Sequence, residues 1–348
     1  MTFEHGARRT SRRVDIIRNG VVVGQLFTRS APTVAMDATA TLKMRLSGTF
    51  APSSLLDAGA DLLRPVLTIN GQDWPLGEYA TSSAREVRTG VSTSLEIEAF
   101  DKSLLLQQAK LEQRLFLEAG SRYADVLQEM LISQGIGSAI IEPTEAVLAT
   151  DREDWEIGTD YLTIINALLS EVNYDPLWFD LRGVARLQKT RQPTAENIDH
   201  TYKADEMSVI APDCEKELDL YDAPNVWIVI VSNPDIAAPL MATAVNDNPA
   251  SALSTVRRGR RIVGPIIKLD NIPSQAALQE YVDNVKAESL LSTETAHFST
   301  APMPVHGVGD VLALRHPALS GIYKETGWSI TLEAGTQMQH TVKKAVFA

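Results

Sequence analysis

The sequence predicts an α+β protein that is mainly β, with two β regions separated by a helix-plus-hairpin region. Three observations carry this prediction. Apolar residues recur at every second position through the first hundred residues, and Asn19-Gly20 and Asn70-Gly71 stand between the runs. After Asp101 the apolar spacing changes to three and four, and from Asn225 alternating runs return.

Residues 1–100 contain VDIIRNG, VVVGQLFT, AMDATATLKMRLSGTF, PVLTINGQDWPLGEY and STSLEIEAF, which read as antiparallel strands; Met36, Leu42, Met44 and Leu46 share even positions. The two Asn-Gly pairs suit hairpin turns that need positive φ, so a small barrel or sandwich is expected here. Residues 101–203 open with KSLLLQQAKLEQ and SRYADVLQEMLISQG, which predict helices, with Ser121 as an N-cap and Gly135 as a stop. In the next helix Thr159 is expected to cap, Asp160 falls in the first turn, and Tyr161, Leu162, Ile165, Leu168, Leu169 and Val172 form one stripe. PLWFDL and VARLQ follow, joined by Arg182-Gly183 alone, which predicts a two-residue primed hairpin. Residues 204–348 hold VWIVIVSN, PLMATAV, RIVGPIIKLD, ETAHFST, DVLALRH and GIYKETGWSITLEAG as strands. One helix interrupts them at about 274–291, behind Pro273, with Ala277, Leu278, Tyr281, Val285 and Leu290 near one side. The two β regions are alike in character but show no alignable repeat.

Composition narrows the function classes. A chain of 348 residues with 44% hydrophobic and 22% charged residues is globular and long enough for two or three cores. It has no run of about 18 apolar residues, and its basic start lacks an apolar stretch behind it, so neither membrane insertion nor a signal peptide is expected. A single cysteine, Cys214, rules out an internal disulfide and a thiolate metal cluster, and fits assembly in a reducing cytoplasm. The net charge of −12, from 44 acidic and 32 basic residues, argues against gripping a phosphate backbone. An acidic wall would instead let DNA pass without sticking.

Residues able to carry chemistry are few. His297, His306 and His316, with eight and nine residues between them, fit no metal-ligand template. The carboxylates around Cys214 disfavour a thiolate nucleophile. Asp151, Glu153, Asp154 and Glu156, together with Asp175 and Asp180 beside the hairpin, offer the residue types of a glycan hydrolase but no aromatic platform for a sugar. There is no Gly-rich phosphate loop, serine elbow or zinc helix. No catalytic residue, metal ligand or cofactor is therefore assigned. Of the two arginine groups, Arg8, Arg9, Arg12 and Arg13 read as a flexible arm. Arg257, Arg258, Arg260 and Arg261 crowd around one glycine, which reads either as a plain solvated loop or, with carboxylates of another chain neutralising the charges, as a candidate subunit interface.

NGVVVGQL, LEIEAFDKSLLL, WEIGTDYLTIINALLSEVNYDPLWFDLRGVARL, APNVWIVIVSNPD, RRGRRI and TAPMPVHGVGDVLAL, in that order across nearly the whole chain, resemble the baseplate hub proteins of tailed bacteriophages and prophages. The resemblance implies two tube-like antiparallel β-barrel domains, at 1–100 and 204–348, with the 101–203 region inserted between them. It also implies a homotrimeric ring in the virion tail tip or baseplate, assembled in the host cytoplasm. Six similar barrels would match the sixfold tail tube on one face and a threefold spike or fibre on the other. Its implied partners are the tail tube or distal tail protein, the tape-measure protein and the spike or tail-fibre protein, with DNA met only in transit. It supplies no catalytic residue. The alternatives from the residues are a tail-associated cell-wall glycan hydrolase and a sugar-binding receptor module.

Overall fold

The computed structural model describes residues 8–205, 208–218, 223–231, 240–269, 272, 274–291 and 294–344. The first β region comprises β1 (Thr10–Arg18), β2 (Val21–Leu26), β3 (Thr33–Asp37), β4 (Met44–Phe50), β5 (Leu62–Ile69), β6 (Gln72–Pro75), β7 (Tyr79–Thr89) and β8 (Ser92–Asp101). Asn19-Gly20 joins β1 to β2 and Asn70-Gly71 joins β5 to β6, with all four residues at positive φ, so both expected corners form. A third corner at Gly90-Val91 joins β7 to β8 and lies outside the sequence expectations, because the exposed half of β7 has no apolar alternation. The run AMDATATLKMRLSGTF is two strands rather than one: Met36 of β3 faces Met44 of β4. Asp37 turns the chain between them by accepting the Thr39 N–H at 2.9 Å.

The middle region comprises α1 (Ser103–Gln108), α2 (Tyr123–Ser133), β9 (Ala139–Ile141), α3 (Tyr161–Glu171), β10 (Trp178–Phe179) and β11 (Ala185–Leu187). Gly135 ends α2 at φ 78° as expected, but Arg122 rather than Ser121 occupies the cap position, and it makes no side-chain cap. On α3 the cap is Asp160, one residue beyond Thr159, because its carboxylate accepts the Thr163 N–H at 2.8 Å. The predicted stripe is buried through Leu162, Ile165, Leu168 and Leu169. The hairpin turn is one residue longer than expected. Phe179 faces Ala185, Gly183 donates to the Asp180 carbonyl at 2.8 Å, and Gly183 alone in the turn has positive φ. Asp180 stabilises the longer turn by accepting from the backbone N–H groups of Arg182 and Val184. Gly77 donates to the Leu181 carbonyl at 2.9 Å, which docks the hairpin on the first β region.

The remaining elements are β12 (His200–Lys203), β13 (Ile210–Leu218), β14 (Val226–Val231), β15 (Met241–Val245), α4 (Thr255–Arg258), β16 (Ile267–Leu269), α5 (Gln275–Leu291), β17 (Glu294–Thr300), β18 (Val311–Arg315), β19 (Ser320–Thr331) and β20 (Met338–Lys344). The expected helix is α5, started by Ser274, which accepts the Ala277 N–H at 3.1 Å; Pro273 lies outside the described residues. That helix does not interrupt the strands alone. It packs with the three-stranded sheet β15-β14-β16 around a core that includes Trp227, Val229, Val231, Leu278 and Val282.

The two β regions share a sheet. Val34 and Met36 of β3 pair with Ile330 and Trp328 of β19, and all four side chains are buried in one core. The reason is geometric: β19 has twelve residues and β18 only five, so β18 covers β19 as far as Lys324 and leaves an open edge for β3. Among the described residues the strands trace one path, β13-β17-β20-β19-β3-β4-β8-β7-β5-β1-β2, with β6, β12 and β18 attached beside it. The path ends on β13 and β2, and the chain leaving β2 also bridges β4 through Thr28 and Phe50.

Candidate functional site

The arginines expected to form an arm are instead built into the fold. Arg12 and Arg13 lie in β1; Arg8 donates to the Pro302 carbonyl at 2.7 Å and Arg12 to that of Leu332 at 2.6 Å, so they clasp the second β region. In the second group Arg257 and Arg258 sit on α4, a single turn capped by Ser254 and closed by Gly259 at φ 61°, and Arg260 and Arg261 follow it. Arg257, Arg260 and Arg261 are exposed, while Arg258 is half-buried and donates to the Ala223 carbonyl at 2.9 Å.

Of the six carboxylates singled out in the middle region, four are engaged in structural contacts and Glu156 is exposed. Asp151 accepts the Ala119 N–H at 2.7 Å, Glu153 faces Arg114 at 3.3 Å, Asp154 pairs with Arg152, and Asp180 holds the hairpin turn. Asp175 lines a cavity of about 410 Å³ together with Lys43, Asn173, Glu288 and Lys324, and burial raises its pKa. Cys214 Sγ comes within 3.9 Å of His316 Nδ1, but that nitrogen already accepts the Ala318 N–H at 3.2 Å.

A buried polar cluster lies in the core of the second β region, and it gathers His200, His306 and His340 rather than the trio suggested by spacing. Each side chain arrives for a local reason. His340 lies between Met338 and Val342 on the inward face of β20, and Phe298 directly opposite stacks on its ring at 4.6 Å between centroids. Glu325 occupies the point where β19 changes partner from β18 to β3. The β-bulge there takes up an extra residue and turns the carboxylate inward. His306 comes from the 301–310 loop, fixed by Trp328 Nε1 donating to the Gly307 carbonyl at 3.0 Å and by Gly307 N–H donating to Asp310 at 2.8 Å.

Inside the cluster, Glu325 meets His306 Nδ1 and His340 Nδ1 through its two oxygens, each at 2.6 Å. The outer nitrogens are also engaged: His306 Nε2 with the Tyr202 hydroxyl at 2.5 Å, and His340 Nε2 with Thr300 Oγ1 at 2.8 Å. Glu325 and Thr300 are fully buried, and both histidines are 1% exposed. Burial pushes the Glu325 carboxyl up to about 7, against the pull of His340, and pushes the His306 imidazole down to about 3. His200 pairs with Asp310 at 3.2 Å beside the cluster; Asp310 raises the His200 pKa against the effect of burial. The sequence signal for this cluster was weak, because a histidine in QMQHTV and a glutamate in YKETGW look like residues of a solvated strand face.

No family model and no curated protein matches the chain. Solved structures do. The chain is similar to the tail protein from Neisseria meningitidis MC58, at 14% identity, 96% coverage of both chains and a TM-score of 0.66. It is also similar to the 43 kDa tail protein of prophage MuSo2 from Shewanella oneidensis, at 9% identity over 95% of this chain and 98% of that one, again with a TM-score of 0.66. A third is the E. coli c3393 protein, a type VI secretion system component with structural similarity to T4 bacteriophage tail proteins gp27 and gp5. That match has 10% identity, 96% and 77% coverage and a TM-score of 0.53. The resemblance to baseplate hub proteins carried by the motifs thus extends to the three-dimensional structure, and the fold of this chain is that of phage tail proteins.

Proposed function

We propose that the protein is the structural hub of a phage or phage-derived tail tip: a homotrimeric ring that adapts the sixfold tube to a threefold spike or fibre and lines the DNA passage. The observation that carries this reading is the likeness in fold to the Neisseria meningitidis tail protein over 96% of both chains. Each copy would offer its two β regions as tube-like modules, so three copies present six around an opening. The exposed edges β2 and β13 support it, since sheets that end on open strands are completed by pairing with another chain. The exposed arginines of 257–261 would meet carboxylates of a neighbouring copy, and the net charge of −12 suits a wall that DNA slides past. Partners are the tail tube or distal tail protein, the tape-measure protein and the spike or tail-fibre protein.

Averaged electron-microscope images of the purified protein test the ring: a threefold particle with a central hole is expected, and a population of compact monomers at high concentration overturns it. Reversing the charges of Arg257, Arg258, Arg260 and Arg261 is expected to shift the trimer peak in light scattering to monomer while far-ultraviolet circular dichroism stays unchanged. The hydrolase reading has less support, because four of its six carboxylates hold turns, loops or arginines. Release of soluble sugar from peptidoglycan that vanishes in Asp154→Asn or Asp175→Asn would reinstate it.

A further inference from the structure

We propose that His306, Glu325 and His340 bind a divalent transition-metal ion of the zinc class, which pins the 301–310 loop to β19 and β20. The first argument is proton accounting. Thr300 has one hydroxyl proton, and its oxygen lies 2.8 Å from both the Ala301 carbonyl and His340 Nε2. When Thr300 donates to Ala301, His340 Nε2 must be the donor to Thr300, and its Nδ1 lone pair then faces a Glu325 oxygen at 2.6 Å. Two lone pairs at that distance need either a carboxyl proton of Glu325 or a metal ion between them. When Thr300 donates to His340 instead, both imidazoles donate Nδ1–H to Glu325, and a full negative charge stays buried with no lysine or arginine among its hydrogen-bond partners. In the first arrangement an ion would take the place of the carboxyl proton, and in the second it would balance the buried charge, so proton and metal compete for one place.

The second argument is the donor set. Both Nδ1 atoms and a carboxylate oxygen lie within 4.8 Å of one another, giving three donors from two strands and a loop, and every ligand residue is buried. Each imidazole has its outer nitrogen held by a hydroxyl, from Tyr202 and Thr300, which is the support that orients metal-ligating histidines. Two imidazoles and a carboxylate suit zinc-class ions, whereas calcium and magnesium favour all-oxygen shells. Tetrahedral metal–ligand bonds of about 2.0–2.2 Å are accommodated once the imidazoles back away from the carboxylate by roughly 0.8 Å. His200 and Asp310 border the site and add a carboxylate to balance the charge.

Because the ligands are enclosed, the test loads the ion during refolding. The full chain is unfolded in guanidinium with a chelator, refolded with or without Zn²⁺, desalted, and assayed for zinc and melting temperature. About one zinc per chain and a higher melting temperature in the zinc sample are expected, since binding to the folded state alone adds stability. Glu325→Gln is expected to fold and retain at least about tenfold less zinc, while the double variant His297→Ala/His316→Ala retains it. Refolding with Co²⁺ is expected to give a visible absorption band in the wild type and not in Glu325→Gln. A folded wild-type chain with negligible zinc and no cobalt band overturns the proposal, as does loss of the ion in the His297→Ala/His316→Ala variant. If Glu325→Gln fails to fold, wild-type stoichiometry and the cobalt band decide.

Discussion

Two buried carboxylates in this molecule are neutralised in different ways. In the middle region Glu171 is held by a permanent cation: Arg152 donates to both of its oxygens at 2.8 Å, and Tyr123 donates to it at 2.6 Å. In the second β region Glu325 is equally enclosed, but its partners are the two imidazoles of His306 and His340. A guanidinium stays charged at any ordinary pH, so the first centre has one state; the second has as many as its imidazoles and any bound cation allow. A fixed ion pair suits a region that only has to be rigid. The adjustable centre lies where the loop carrying the MPVHGVGD motif meets the strand joining the two β regions.

Removing the permanent cation breaks the comparison most severely. Arg152→Met is expected to destabilise the chain by about 3–5 kcal/mol in urea unfolding, because it leaves Glu171 charged and unpaired in an apolar core. The double variant Arg152→Met/Glu171→Leu should recover most of that loss. Next is Thr300→Val, expected to cost about 2 kcal/mol by leaving His340 Nε2 without a partner.

A third carboxylate, Glu78, sharpens the contrast because it sits at the boundary between regions and has two fixed cations, Arg64 and Lys102. Burial alone would raise its pKa, but the two cations outweigh burial and hold it below the usual range. A depressed folded-state pKa means its contribution is present above about pH 4.5 and is lost as pH falls through the folded value. Glu78→Gln should therefore cost about 1 kcal/mol at neutral pH and flatten the acid limb of a stability–pH curve. Smallest of all is Glu325→Gln in metal-free protein, with an expected cost of about 1 kcal/mol or less. A glutamine accepts from His306 Nδ1–H and donates to His340 Nδ1, reproducing the geometry without a charge. A loss as large as that of Arg152→Met would show that the two centres are alike after all.

The features legible in the sequence are those made by residues close together along the chain. Asn19-Gly20 and Asn70-Gly71 require positive φ wherever the chain folds, and the α3 stripe and the Gly135 stop follow from helix geometry. Near misses, such as the Asp160 cap and the longer turn at Gly183, involve one-residue choices between rival hydrogen bonds. Weakly apolar strands were not legible: β13 is mostly exposed, and β20 hides its inward histidine among polar neighbours. By itself the sequence determined that the chain is mainly β with helices in its middle, and it carried the motifs that resemble hub proteins. Only the tertiary structure decided that β3 joins β19 and that Glu325, His306 and His340 converge. Pairing between distant edges depends on which strand edges remain open after the local hairpins have formed. A buried polar group is recognisable only when the partners that satisfy it are in place.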